Sequence, residues 1–367
     1  MLSRRAILTG GAGFIALGAG GSVLSLGIEL RRYQDYAQRI RAPLGADPSF
    51  VELVRHATLA ANGHNTQPWL YRLSGDRIFI RPDFSRRTPV VDPDDHHLYV
   101  GLGCALENLM IAAAATGRIV DVALIDEGLN GVAVTLSRGA PTGERVMEMA
   151  AAIPFRQSTR SIYDGRPVAS GDLERLAKVA AVAGVDTAIV TERSQIDRVR
   201  NLVIAGNDVQ MTDRAFIREL KDWLRFSPYT ARHRGDGLYS PASGNPALPE
   251  WLGPLAFDLA FKPASEADKY SRHMDTSAGV AVFSAAEEGP AGWIAVGQAC
   301  QRFCLMATVL GLRTAFINQP VEVAALRGDL SILAGFGGRR PDIVLRFGYA
   351  PAMIYSPRRP VEAVIEV

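Results

Sequence analysis

The chain has 367 residues, 48% of them hydrophobic and 21% charged, with 40 Lys and Arg against 38 Asp and Glu. That length suits about two ordinary domains. A net charge of +2 sets up no global field for nucleic acid or an anionic membrane. Cys104, Cys300 and Cys304 give neither a disulfide framework nor a metal pattern.

The N-terminus reads MLSRRAIL and then carries no charge until Glu29. Ser3 to Leu8 fits a twin-arginine export signal followed by a Gly- and Ala-rich apolar region. Ile7 stands where an aromatic is usual, and no clean A-x-A cleavage site follows. Residues 6–28 are long enough to span a bilayer, so the signal can be cleaved or can stay as an anchor. Residues 29–44 read as a charged stalk helix.

Residues 48–62 have a helical apolar period at Phe50, Leu53, Val54 and Ala57. A turn, GHNTQP, then runs into a strand and a hairpin with Ser74-Gly75-Asp76 at its tip. The clearest helix spans 92–117, with Asp92 as cap and Pro93 at the first position. Asp92, Asp94, His96 and His97 raise the question of a metal. Adjacent histidines on a helix point about 100° apart and converge poorly, so no metal site is expected. Strands at 121–125 and 131–137 and a polar link at 138–144 complete the first part.

Residues 153–168, IPFRQSTRSIYDGRPV, place Arg156, Ser158 and Arg160 at alternate positions. Two guanidiniums and a hydroxyl there can grip a phosphate; the alternative is an exposed basic turn. The pattern continues with a helix at 172–183, a strand at 186–191 and one long helix at 195–218. Residues 225–270 hold six prolines, many glycines and several aromatics, and read as a long loop of the lid kind. A strand at 278–284, a buried helix at 292–312 and strands at 314–318 and 342–347 follow. Cys300 and Cys304 fall on one face of that helix as small core residues.

Gly103, Ala105, Ala113 and Gly117 recur at one fixed offset as Gly297, Ala299, Ala307 and Gly311. Each set lies in a long apolar helix followed by a strand. The pattern predicts an internal duplication, with halves at 45–150 and 151–367 and the lid-like insertion 225–270 in the second.

Two stretches then resemble the nitroreductase superfamily of FMN-binding oxidoreductases. Ala61-Asn62-Gly63-His64-Asn65-Thr66-Gln67-Pro68-Trp69 is similar to that family's P-S-x-x-N-x-Q-P-W turn, with Asn62 in place of Ser and Ala61 in place of Pro. Arg156 to Arg160 resembles its R-x-S-x-[RK] start, and Asp164 to Val168 continue the pattern. Members typically form dimers whose flavin lies between one subunit's first motif and the other's second. Here each motif occurs once, in reverse order. The resemblance therefore implies an α+β fold of two nitroreductase-like halves, with antiparallel or mixed sheets flanked by helices, fused as a monomeric pseudo-dimer of the Acg-type branch with one FMN.

By the same resemblance, Arg156 would hold the FMN phosphate, Ser158 the phosphate or ribityl chain, and Arg160 the edge of the ring, where a cation raises the cofactor's potential. Asn62, Gly63 and Asn65 would contact the ring or ribityl from the other half. Arg358 and Arg359 stand at the family's C-terminal basic pair, and Asn318 and Gln319 at its flavin-lining strand end, although the usual Pro-Ile-Glu-Gly is absent. Gln67-Pro68-Trp69 reads as packing behind the turn, and His64 as polar lining. No catalytic acid or base is implied. The expected activity is electron transfer from a reductant, with NAD(P)H as a candidate, through FMN to a small organic acceptor such as a nitro-aromatic, quinone or enone. The alternative is FMN storage under a closed lid. The export signal implies a periplasmic protein, or one anchored through residues 6–28 and facing the periplasm.

Overall fold

The computed structural model describes residues 26–140 and 143–366. The twin-arginine run and residues 6–25 of the apolar segment lie outside the described residues.

Helix α1 covers residues 26–40. Helix α2 (Phe50–Ala57) starts from a reciprocal cap, in which Glu52 N donates to Ser49 Oγ and Ser49 N to Glu52 Oε2. Strands β1 (Trp69–Ser74) and β2 (Arg77–Pro82) form the expected hairpin, with Gly75 at φ +61° in the turn. Helix α3 (His96–Ala115) is followed by β3 (Arg118–Leu124), β4 (Val132–Arg138) and α4 (Glu144–Ala152). The second half supplies α5 (Ser170–Ala180), β5 (Val185–Val190), α6 (Arg193–Thr212), α7 (Arg214–Trp223), β6 (Leu224–Arg225), α8 (Pro228–Arg234), β7 (Leu238–Tyr239), α9 (Gly253–Ala260) and α10 (Pro263–Asp275). It ends with β8 (Gly279–Ala285), α11 (Pro290–Val309), β9 (Arg313–Phe316), α12 (Gln319–Glu322), α13 (Arg327–Ala334) and β10 (Ile343–Gly348).

The two large sheets have the same topology. The first runs β1-β2-β4-β3 and the second β5-β8-β10-β9, each antiparallel throughout. In both, the long apolar helix sits between the second and third strands of its half. The fold is thus α+β, two halves with antiparallel sheets flanked by helices. The halves differ at three places. Where β3 and β4 are joined by residues 125–131, β9 and β10 are joined through α12 and α13. Where β1 and β2 share a two-residue turn, β5 and β8 are joined by the whole of α6–α10. Where α2 reaches β1 through the turn at 58–68, α5 reaches β5 through residues 181–184 alone.

Helix α3 is long and apolar enough to cross a membrane, but it is mostly buried inside the protein. It is the core helix, and its partner is α11. A Cβ on Gly103 would lie 2.0 Å from Ile294 O, and one on Gly297 would lie 2.1 Å from Val100 O. The offset that takes Gly103 to Gly297 also takes Val100 to Ile294, so each contact is the other's mirror under a pseudo-two-fold axis. The polar pairs repeat the relation: Arg302 Nε donates to Glu107 Oε1 at 2.7 Å, and Gln301 Nε2 to Asn108 Oδ1 at 2.7 Å. Reciprocal contacts of this sort define an isologous interface, here within one chain. The Gly, Ala and Cys residues at the crossing let the backbones close together, and all three cysteines are buried there.

Four expectations change. Helix α3 begins at His96 and not at Asp92, because Asp95 takes a left-handed φ of 58°. Asp92 still caps it: its two carboxylate oxygens accept from His97 N and Leu98 N, each at 3.0 Å. The single helix expected at 195–218 breaks at Asp213, whose side chain accepts from Ala215 N and starts α7. The polar link 138–144 leads into α4, a helix the sequence reading missed. The segment 225–270, expected to be loop, contains α8, α9 and most of α10, because Pro228, Pro254 and Pro263 stand at helix starts, where a missing N–H costs nothing.

Replacing Gly103 or Gly297 by Ala pushes a methyl into a carbonyl and should cost about 2–3 kcal/mol. Gly171→Ala, on α5 with open space around it, should be neutral or slightly stabilising. Denaturant unfolding of the three variants measures the difference.

Candidate functional site

A cavity of about 390 Å³ opens where the halves meet. Asn62, Gly63 and His64 of the first half line it, as do Ser158, Arg160, Asn318 and Gln319 of the second. Phe226, Leu248, Phe257 and Phe261 close it from the segment expected to be a lid. Six of the ten residues expected to bind a cofactor therefore reach one space. Its size falls in the ordinary range for small-molecule sites.

The turn at 61–69 is strained and heavily tied. His64, Asn65 and Gln67 all have positive φ, 45°, 55° and 55°, a conformation that costs of order 1–3 kcal/mol per non-glycine residue. Hydrogen bonds hold it. Gln67 N donates to Asn62 Oδ1 at 2.9 Å, Gln67 Nε2 to Gly235 O at 2.8 Å, and Arg359 N to Gln67 Oε1 at 2.9 Å. Trp69 is fully buried behind the turn, so packing is its role, as expected. Asn65 does not line the cavity. Its Nδ2 donates to Gly237 O and Pro357 O, each at 3.0 Å, and its Oδ1 accepts from Arg358 at 2.7 Å. It latches the turn to the insertion and to the C-terminal tail.

The segment 156–160 lies along the edge of β9, where Thr159 N donates to Thr314 O at 2.8 Å. Strand alternation sends Gln157 and Thr159 inward and Ser158 and Arg160 to the cavity. Two devices lock the register. Gln157 and Met353 exchange hydrogen bonds of 3.1 and 2.6 Å. Buried Arg346 donates to Ser161 O at 2.8 Å and to Thr159 O at 3.3 Å, over the Tyr163 ring at 4.0 Å.

Arg156 turns away from that face. Its Nη2 donates to Leu59 O at 2.9 Å, and Arg358 Nη2 donates to the same oxygen at 3.2 Å. Arg358 also donates to Thr58 O at 2.7 Å and Ala60 O at 3.0 Å. Asn65 and Arg156 are thus one guanidinium apart. Arg41 joins this cluster, over the Tyr355 ring at 4.2 Å. The sequence reading passed over it as part of the stalk at residues 29–44. All three arginines are buried, and among the described residues none forms an ion pair with a carboxylate. Arg156 Nε and Arg41 Nη1 have no partner. Burial, then Arg41 and Arg156, drive the Arg358 guanidinium well below its usual value, and burial brings Arg41 down to about 10. Uncompensated buried cations of this kind ask for an anion. The cluster adjoins the cavity through Ala61 and Ser158 but does not line it.

Arg359, expected beside Arg358, does not serve the cavity. Its guanidinium lies 3.6 Å from Asp83 and donates to Ala363 O at 2.6 Å. Asn318 lines the wall while its Oδ1 accepts from Val344 N at 3.0 Å. A second polar group was not foreseen: His97 lines the wall with its Nδ1 4.0 Å from Glu322 Oε1, and Glu322 Oε2 accepts from Gln210 at 2.6 Å. Asp92, His96 and His97 each offer a potential metal-ligand atom within 4.8 Å of the others, closer than helical spacing suggested. Both Asp92 oxygens are already the cap of α3, and His96 Nε2 lies 2.9 Å from Asp342 Oδ1, which ties α3 to β10.

Taken together, the fold is two antiparallel-sheet halves closed on one cavity. The chain is similar to the following proteins. The Mycobacterium tuberculosis (strain H37Rv) protein Rv3131, which carries the provisional name NAD(P)H nitroreductase, is 27% identical over 322 residues, 84% of this chain and 89% of its own. The protein acg of the same organism, similarly named, is 22% identical over 324 residues, 86% and 94% of the two chains. No family model matches the chain. Among solved structures, a nitroreductase with bound FMN from Desulfitobacterium hafniense covers 60% of this chain and 97% of its own at 14% identity and a TM-score of 0.39. A nitroreductase from Anabaena variabilis, also provisionally named, covers 75% and 69% at 11% identity and a TM-score of 0.43.

Burial sets the protonation of the cavity wall. It lowers His64 and His97 to about 4, and His56 and His273 to about 3. Each is neutral when folded and charged when unfolded between those values and about 6.5. The unfolded chain binds more protons there, so these groups make stability fall as pH drops from 6.5 toward 4. Asp92 and Asp342, raised to about 6 by burial, oppose this. Burial also holds His96 down and Asp95 and Glu322 up; five histidines then face four carboxylates, so thermal midpoints should fall between pH 6.5 and 4.5, and His97→Gln should flatten the slope.

Proposed function

We propose that the chain is an FMN-dependent oxidoreductase of nitroreductase type, built by internal duplication, with one flavin site per chain. The observation that carries it is the convergence of the 61–69 turn and the 156–160 segment on one cavity beside an uncompensated cluster of buried arginines. The residues fit FMN. Arg156, Arg358 and Arg41, behind the wall formed by Ala61 and Ser158, would supply the positive charge that faces the phosphate. Ser158, Asn62 and Gly63 would hold the ribityl and ring, and Arg160 would face the ring's polar edge. When bound, FMN supplies hydride and electron transfer between a reductant and an organic acceptor. NAD(P)H is the proposed reductant, as in the relatives' names.

The chain's own contribution is orientation and exclusion of water. Arg160 has its pKa lowered, chiefly by burial, which strengthens its field in a dry site. His64 and His97 present neutral imidazoles to the cavity, and Phe257 and Phe261, stacked at 4.3 Å, cover it. Only the first half has the long 58–68 turn, which supports one site and a monomer acting as a pseudo-dimer. A second reading, flavin storage, is favoured by the helical cover over the cavity. We further propose twin-arginine export, with residues 6–28 as signal or anchor.

The protein as purified should be yellow. NADPH should bleach it within the dead time and seconds of a stopped-flow trace; reduction by dithionite alone would favour storage. Arg156→Ala and Arg41→Ala should each weaken FMN binding roughly tenfold to hundredfold, the worth of a charge-assisted hydrogen bond. They should leave riboflavin, which has no phosphate, unaffected in a fluorescence titration.

A further inference from the structure

Helix α9 is apolar toward the cavity and over most of its outer side, where its one charged residue, Asp258, pairs with Lys221. Gly253, Ala256, Phe257 and Ala260 face the cavity, and a Cβ on Gly253 would meet the Phe226 ring at 2.0 Å, so the helix start is seated tightly. On the other side Leu255 and Leu259, with Trp251 in the turn just before the helix, form an i, i+4, i+8 stripe that is 75%, 58% and 75% exposed from Trp251 to Leu259. Such a contiguous stripe led by a Trp is the pattern of a surface made to be covered, and Trp favours the membrane–water interface.

The position of the stripe names the cover. The run of residues 6–28 without charge continues into α1, and α1 is packed on the base of the same insertion. Tyr33 is fully buried, 4.5 Å from the Tyr239 ring, and Glu29 pairs with Arg232 of α8 at 3.3 Å. At the other end of α8, Ser227 N donates to Glu250 Oε2 at 3.1 Å, next to Trp251. Helix α8 has seven residues, roughly 10 Å of length. The apolar run therefore leaves the fold about one short helix away from the exposed stripe. Ile28, next to Glu29, is 46% exposed, and Tyr229, within α8, is 54% exposed.

We propose that the outer face of α9 rests on a lipid bilayer, with Trp251, Leu255 and Leu259 in the interfacial layer, so that the cover of the cavity is a membrane-contact surface. An apolar acceptor dissolved in the membrane would then enter under α9 without crossing water. The proposal rests on the tether reading of residues 6–28 and not on the cofactor.

The test uses the full chain with vesicles of phosphatidylethanolamine and phosphatidylglycerol, with and without a dibrominated acyl lipid that quenches tryptophan on contact. Flotation reports attachment, and quenching reports Trp251. The wild type should float and be quenched. Trp251→Phe should float equally but lose at least half of the quenching, since Trp69 and Trp293 are buried in the protein and the half-buried Trp223 lies under the Arg86 and Arg225 guanidiniums. Leu255→Ser with Leu259→Ser should also halve the quenching while leaving flotation intact. Flotation with equal quenching in the wild type and Trp251→Phe would overturn the proposal and leave the tether standing; no flotation would overturn both. Protection of Trp251 from aqueous quenchers without lipid, by a second copy or by the chain's own apolar run, would also overturn it.

Discussion

The close crossing of α3 and α11 is the constraint on which the rest depends. Two glycines remove the side chains that would hold the helices apart, and each backbone carbonyl sits where the partner's Cβ would be. Interiors are close-packed and transmit small displacements. A methyl's worth of separation here would shift one half against the other and open the cavity between them. The reciprocal pairs Glu107–Arg302 and Asn108–Gln301 fix the crossing's register in the same way that apolar contact fixes its distance.

From that axis the site is assembled by exchange between the halves. The second half sends its tail back across the first: Tyr71 N donates to Val364 O at 2.8 Å, and Glu366 N to Tyr71 O at 2.7 Å. On the way the tail delivers Arg358 to the carbonyls at the end of α2 and to Asn65. Helix α1 straps the same tail through Tyr33, whose hydroxyl donates to Tyr355 O at 2.6 Å, and through Tyr36, whose hydroxyl contacts Arg358 O. The strained turn at 61–69 persists because these bonds over-determine it. Symmetry is broken where function needs it: one half keeps a long turn, the other inserts a helical cover.

Much of this was legible in the residues. The repeated Gly and Ala positions marked the crossing helices because close backbone approach requires small side chains. Alternation at 156–160 marked Ser158 and Arg160 as sharing a face. Alternation failed for Arg156, since a long flexible side chain can leave its strand face for better acceptors, and the carbonyls of 58–60 were invisible as a target. Arg359 was misread because neighbours in sequence point apart, and Asp83 was waiting on the other side. Arg41, His97 and Glu322 were missed as a group: each comes from a different element, and only tertiary packing brings it to the site. The cover was read as loop because proline content hides helices whose prolines all stand at their starts.

The central claim is that two similar halves of one chain close over a single flavin site, the second position having lost its turn. Isothermal titration of the flavin-free full chain with FMN tests it most directly. A stoichiometry of one FMN per chain is the predicted result; two per chain, or none, would contradict it.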